Sequence, residues 1–537
     1  MDFGPGSLDS GAMSQMLKSS GAMAVATMTS RLLGMVREMV YAAFMGNTWV
    51  ASAFTLAFQV PNLFRRLLGE GALTAAFIPI FKNKEVAEGE GEMWRSANVV
   101  ISGLVTGAGL ICLVAVIGIT IALKLPILDP SNADRGTILM LKLLRLMFPY
   151  MVLVCLAAIL IGMANARGHF FVPALGSVLL NVIMIGSVLF LAPKMGRSRE
   201  EQIFGLAIGV VLAGLVQAFF QLPSLRREGF RYQWVSPWRD PTVREVLRKM
   251  LPGSIGVAAF QINVLATQCF SFWFDQTIVS TFNYSVRLME LPQGMFGISL
   301  ATYLLPTLSG LAAEKKYPEF RQTLGQGLSY LSFANLLASA VSLSLAVPIV
   351  RLIFERHAFD SAATQRVALA LACLAPGLLM FSMNNILARA FYALGDIQTP
   401  MKISVLCLGL NLAFAIWLVQ RYREAGLAVA NTMSATFNMV LLIYALRRRL
   451  SRLGLSQLKQ TLLVLIPNAV FAGLIAWVLG SVWEKRLGHA TVALKIGAVF
   501  VPGGIASLIY WLVAVWAKVP AAHDLFVLFQ RRVGKKE

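Results

Sequence analysis

Charge is scarce in this chain. Of its 537 residues only 14% are Asp, Glu, Lys or Arg, against about a quarter in an ordinary soluble protein, and 57% are hydrophobic. A soluble globule could not hide that much apolar surface. Cysteine and histidine are also sparse, at five and four residues. Cys112, Cys155, Cys269, Cys373 and Cys407 all lie in apolar runs without paired spacing. They read as small core residues, which excludes a disulfide framework or a metal centre. The histidines are scattered at expected helix ends and make no site. No G-x-x-x-x-G-K-[ST] phosphate loop occurs, so the chain is not expected to hydrolyse ATP by itself, and no cofactor is expected. The opening stretch "MDFGPGSLDSGAMSQ" has no basic region and does not read as a cleaved signal peptide. The first spanning helix is expected to serve as its own insertion signal.

What is abundant is apolar sequence in runs of about 20 residues, long enough to cross a bilayer. A membrane β-barrel would show short alternating segments instead, and these are missing. The expected fold class is all-α: a polytopic membrane protein of about 14 spans. Their centres fall near Val25, Phe58, Leu110, Val152, Leu180, Val211, Val257, Phe282, Asn335, residues 368–379, Leu408, Met433, Val470 and Ala506. The formal charge of +21 is not a nucleic-acid signature here. Much of it sits in loops on one side, around Arg226 to Lys249, around Arg447 to Lys459, and in the tail with Arg531, Arg532, Lys535 and Lys536. The positive-inside rule then puts both termini in the cytoplasm.

An internal repeat organises the chain. A shift of 227 positions pairs Pro79 with Pro306, Pro149 with Pro376 and Pro173 with Pro400, and also Ala166 with Ala393 and Gly168 with Gly395. Chance would give about 0.3 proline coincidences at one offset. Pro61 pairs with Pro292 at 231 instead, so about one extra helical turn surrounds Arg65, Arg66 and Glu70. The expected domains are an N-lobe over 1–224, a basic interfacial connector over 225–249, a C-lobe over 250–450, and a pair of helices with a basic tail over 451–537. Internal repeats with a site where they meet are a transporter habit.

Charges inside the spans mark the candidate site. Ser20, Thr27, Arg31 and Glu38 fall within about 40° on the first helix, with Arg37 to one side. On the second, Ser52, Thr55, Gln59, Asn62, Arg66 and Glu70 line an arc of about 80° along roughly 27 Å. In the second lobe Asn283, Arg287 and Glu290 share a face. A charge at the bilayer centre costs about 2.5–3.5 kcal/mol, and such charges usually face a bundle interior or a watery path. The plainer reading pairs Arg66 with Glu70 and Arg287 with Glu290 on their own helices. Because Arg31, Arg37, Arg65, Arg66 and Arg287 outnumber Glu38, Glu70 and Glu290, an anion is the expected occupant. The arginine fork suits a diphosphate. The last two spans carry almost no charge; they either form a surface for a lipid tail or simply pack the bundle.

The strings "SRLLGMVRE", "AFTLAFQVPNLFRRLLGEGALTAAFIPIF", "VRLMELPQGMFGISLATYLLPTLS" and "FYALGDIQTP" resemble the MurJ (MviN) lipid II flippases of the MOP exporter superfamily. That resemblance implies two six-helix lobes with pseudo-two-fold symmetry plus two C-terminal helices grooved for an undecaprenyl tail. It implies export of the lipid-linked peptidoglycan precursor, lipid II, across the cytoplasmic (inner) membrane of a bacterium by alternating access, with no catalysis. Family cavity positions fall on Arg31, Arg37, Arg65 and Arg287, with Arg66 beside them, and on Ser30, Asn62 and Glu290. Expected partners are lipid II and membrane lipids, not nucleic acid, and a monomer is expected. Some members carry a sodium-type site built on acids; here Thr267, Gln268, Asn384 and Asn385 stand in that region, followed by Arg389. A diphosphate moved outward could draw instead on the membrane potential.

Two rivals remain at the level of sequence. A related exporter of another lipid-linked oligosaccharide, of O-antigen type, would differ in headgroup preference. An intramembrane enzyme would need a catalytic group near a large outer loop, and "DPSNADR" and "FERHAFD" offer no convincing pair; His357 and Asp360 read as structural.

Overall fold

The computed structural model describes residues 10–69, 72–125, 134–450, 456–524 and 527, with side chains from Met28 onward except at 68, 69, 72, 75, 252–257, 259, 296, 298, 299 and 456. Among these residues every regular element is helical. Seven helices are long and apolar enough to span a membrane, and three further pairs qualify as bent spans. One of the seven, 53 residues long, is two helices joined at a kink, so the described residues supply up to eleven of the fourteen spans expected.

Two compact units divide the chain, Met1–Leu265 and Ala266–Glu537. In the first, α1 (Ser10–Met45) and α2 (Trp49–Phe64) are followed by a π-helical segment, Arg65–Gly69. Next come α3 (Ala72–Glu88), α4 (Glu90–Ala122), α5 (Arg135–Met147), α6 (Tyr150–Ala166), α7 (Phe171–Gly186), α8 (Arg199–Phe219) and the short α9 (Leu222–Arg227). The long α10 (Pro241–Phe274) runs across the division. One core joins α3, α4, α6 and the stretch after α8 through Phe77, Phe81, Met93, Met163, Leu225 and Phe230. Trp94 packs between Phe81 and Phe230, its ring centroid 5.6 Å from each.

The second unit repeats the plan. It contains α11 (Ile278–Pro292), a π-helical segment Gln293–Ile298, α12 (Ser299–Ala313), α13 (Tyr317–Ser344), α14 (Ala346–Phe354), α15 (Ser361–Leu374), α16 (Gly377–Ala393), α17 (Gln398–Leu450), α18 (Ser456–Arg486) and α19 (Val492–Trp516). The prolines that the offset pairs do the same work in both units. α5 meets α6 at a 41° bend beside Pro149, and α15 meets α16 at 46° beside Pro376. A proline has no N–H to give and crowds the preceding turn, so the helix breaks there.

Helix ends match as well. α6 closes on Gly168 at φ 84° and α16 on Gly395 at φ 75°. Past each glycine the next N–H turns back, His169 to the Ala164 carbonyl and Asp396 to the Phe391 carbonyl, both at 2.9 Å. Only a residue without Cβ takes this left-handed position cheaply.

The terminal pair packs on α13 through small residues. Ala469, Ala472 and Ala476 of α18 are buried with Ala506, Tyr510 and Ala514 of α19. Asn468 Nδ2 donates to the Tyr510 carbonyl at 2.9 Å, and the Tyr510 hydroxyl donates to the Phe333 carbonyl at 3.0 Å. Phe471, Leu474 and Trp477 on the other side of α18 are left exposed.

Candidate functional site

In the first unit the site residues lie on α1 and on the run from α2 into the π-helical segment. Along α2, Val50, Ala51, Ala53, Phe54, Leu56, Ala57 and Leu63 are buried. Thr55, Gln59, Asn62 and Arg66 are only half-buried, so the polar stripe is the less covered face, while Ser52 at its start is fully buried. The change of pitch falls on Arg65 and Arg66. A π-turn spaces its residues wider than an α-turn and re-aims the side chains it carries, a frequent arrangement at functional sites. Arg65 Nε donates to Asn62 Oδ1 at 2.7 Å, and an Arg66 Nη donates to Gln261 Oε1 on α10 at 3.3 Å. Glu70 and Gly71 lie outside the described residues, so the expected Arg66–Glu70 pair does too. The side chains of Ser20 and Thr27 are likewise outside.

On α1 the chemistry gathers around Arg37. Its Nη atoms donate to Asn181 Oδ1 on α7 at 3.0 Å and to Glu38 Oε1 at 2.6 Å, and the guanidinium lies 5.8 Å from the Tyr41 ring centroid. Glu38 is buried, where a lone carboxylate would be costly; the neighbouring guanidinium offsets that cost. Asn181 Nδ2 donates to the carbonyl of Ser30 at 3.1 Å, tying α7 to α1 about two turns before the arginine. Arg31 is exposed. The unit therefore brings together Ser30, Arg37 and Glu38, and separately Asn62 with Arg65.

Two residues here escaped the sequence reading, Asn181 and Gln261. Both are uncharged amides within apolar helices, a signal far weaker than a buried arginine.

In the second unit Arg287 donates to Glu290 at 2.8 Å, the i, i+3 pair expected. Thr267 and Gln268 are buried. Asn384 Nδ2 donates to the Ala435 carbonyl at 3.0 Å, Asn385 Nδ2 to the Phe381 carbonyl at 3.2 Å, and Arg389 to Thr302 Oγ1 at 2.9 Å. No group of three His, Cys, Asp or Glu suited to a metal occurs among the described residues.

A second polar centre of this unit was not anticipated. Arg366 of α15 forms a two-bond fork with Glu424, at 2.7 and 2.8 Å, and donates to Thr277 Oγ1 at 2.6 Å. Asp275 lies 3.5 Å from Arg366 and 3.7 Å from Arg423. These groups gather where α17 turns at Arg423, whose φ of 49° is left-handed.

Helices bent at prolines, and arginines held within apolar helices, are features of an integral membrane transporter. A solved structure titled as a lipid II flippase MurJ in an inward closed conformation matches with a TM-score of 0.74 at 20% identity, over 92% of this chain and 98% of that one. A multidrug resistance MATE family transporter of the MOP superfamily in its inward-facing conformation matches at 0.62 and 16% identity, over 81% and 99%. The fold is thus that of the MOP exporters. The family model described as lipid II flippase MurJ matches residues 41–496. The probable lipid II flippase MurJ of Vibrio cholerae is 32% identical over 438 residues, 80% of this chain and 82% of that protein. The chain belongs to the MurJ family.

Proposed function

We propose that the protein is a flippase that carries lipid II from the inner to the outer leaflet of a bacterial cytoplasmic membrane by alternating access. The observation that carries this reading is the set of guanidinium groups mounted on α1 and on the π-helical segment after α2, in a chain of this family. Arg31, Arg37, Arg65 and Arg66 would bind the diphosphate-sugar headgroup, with Ser30, Asn62, Glu38 and Glu70 setting the polarity around them. Arg287 and Glu290 are proposed as headgroup contacts on the second unit.

Physical reasoning supports these roles. A diphosphate accepts paired hydrogen bonds from a planar guanidinium fork, and such bonds strengthen where water is scarce. Arg37 is held at three points, so little conformational freedom remains to be lost on binding. No covalent step is required, and we assign no catalytic residue. We read both termini as cytoplasmic, the lobes as 1–224 and 250–450 with a connector over 225–249, the C-terminal pair as 451–537, and the working unit as a monomer.

Lipid II translocation in liposomes tests the reading. Arg31→Ala and Arg65→Ala should each lower transport at least about tenfold, the worth of one charged hydrogen bond lost, while the folded protein survives solubilisation. Selectivity over carrier lipid lacking the sugar headgroup should fall in parallel. Unchanged transport in both variants would place the headgroup site elsewhere.

A further inference from the structure

We propose that the segment from Arg226 to Arg248 is a docking strap for the anionic phospholipid headgroups of the membrane surface, distinct from the transport residues. The inference goes beyond the proposed flippase activity and holds whichever face of the membrane the strap lies on.

The strap begins at the end of α9 and runs without regular structure from Phe230 to Pro237 before α10 starts. It is pinned along α4 rather than loose. Phe230 is buried in the core. Asn98 Nδ2 donates to the Arg231 carbonyl at 3.0 Å, and the Ser102 and Tyr232 hydroxyls meet at 3.3 Å. Opposite Gly103 the Pro237 ring and Val243 come so close that a methyl there would sit 3.3 Å from Pro237 Cβ.

That attachment fixes the depth. α4 opens with Glu90 and Glu92. Beyond the strap its residues Leu110, Leu113, Val114, Ile117 and Ile121 are exposed and apolar. Ser102 to Leu110 is about 12 Å of helix, so the strap lies where the helix passes from charged to lipid-facing surface. Trp234 and Trp238 are exposed by 60% and 71%, and indoles favour this level of a bilayer.

Charge completes the case. Arg226, Arg227, Arg231, Arg239, Arg244 and Arg248 are all exposed, and none is in an ion pair among the described residues. The acids nearby are already engaged. Glu228 receives Arg167 at 3.0 Å and His169 at 2.8 Å, which hold its carboxyl below the usual range, the His169 bond foremost. Glu245 pairs with Lys249 at 2.7 Å, and Asp240 accepts from the Thr242 N–H at 2.8 Å. Six unpaired guanidinium groups beside two indoles match a phosphate-bearing surface.

The test uses full-length protein in vesicles of phosphatidylcholine alone or mixed equally with phosphatidylglycerol. The difference in tryptophan emission between the native chain and Trp234→Phe/Trp238→Phe isolates the two indoles. Phosphatidylglycerol with brominated chains should quench that signal about tenfold more effectively per molecule than brominated phosphatidylcholine, from partial engagement of several arginines. Acrylamide in the water should quench it little. Replacing all six arginines by Gln should remove the preference between lipids. Strong acrylamide quenching without lipid quenching would overturn the proposal and leave a surface suited to a soluble partner. Equal quenching by both lipids in the native chain would overturn the headgroup selectivity, whether or not the sixfold variant folds.

Discussion

Asn181 divides one amide between two tasks, accepting from Arg37 and donating to the Ser30 and Ser177 carbonyls. Its position explains how a long arginine side chain keeps a fixed aim inside a helix bundle. Asn181→Leu keeps the bulk and loses the acceptor, and should lower lipid II transport about tenfold. Asn181→Asp restores the acceptor and should recover most of it. If transport in the Leu variant matched the native chain, Asn181 would be a packing residue only. At this scale the sequence was legible where a full charge continued a polar stripe along an apolar helix, because a charge there is expensive and so informative. The Arg287–Glu290 pair could be read from spacing alone. Asn181 and Gln261 could not, since their partners lie 144 and 195 residues away. Nor could the Arg366–Glu424 fork, whose two helices meet only in the fold.

Among the elements, the paired prolines were read only as the mark of a repeat; the structure adds that Pro149 and Pro376 each stand at a bend between two helices, while Pro79 and Pro306 sit inside helices that continue past them. The π-helical segments were not foretold: their pitch depends on packing, and hydrophobic spacing does not encode it. α17 was expected as two spans and is continuous but for Arg423. Its halves run back side by side, with Ser434 Oγ donating to the Cys407 carbonyl at 2.7 Å. Just past the corner, a Cβ on Gly426 would stand 2.3 Å from the Leu418 carbonyl oxygen. Backbone cannot yield as a side-chain tip can. Gly426→Ala should therefore destabilise the protein by about 1–3 kcal/mol, visible as a lower thermal midpoint in detergent. An unchanged midpoint would mean the corner can open without cost.

For the whole molecule, composition alone identified a polytopic helical membrane protein, because so much apolar surface has few other solutions. Energetics at this scale concern the cycle rather than any single contact. A potential is worth about 2.3 kcal/mol per charge per 100 mV, so a diphosphate with two negative charges moving to the positive side gains roughly 4–5 kcal/mol. Collapsing the potential with valinomycin and balanced potassium should slow outward transport markedly. Transport indifferent to the potential would require another energy source.

The corner at Arg423 has one more consequence. Proteases cut where several residues of chain can leave the fold and lie extended in an active site. A connection of one non-helical residue, with Glu424 clasped by Arg366 on its far side, offers no such stretch. Limited digestion should spare this crossing and fall on longer connectors such as 355–360 and 487–491, leaving the two halves of α17 in one fragment.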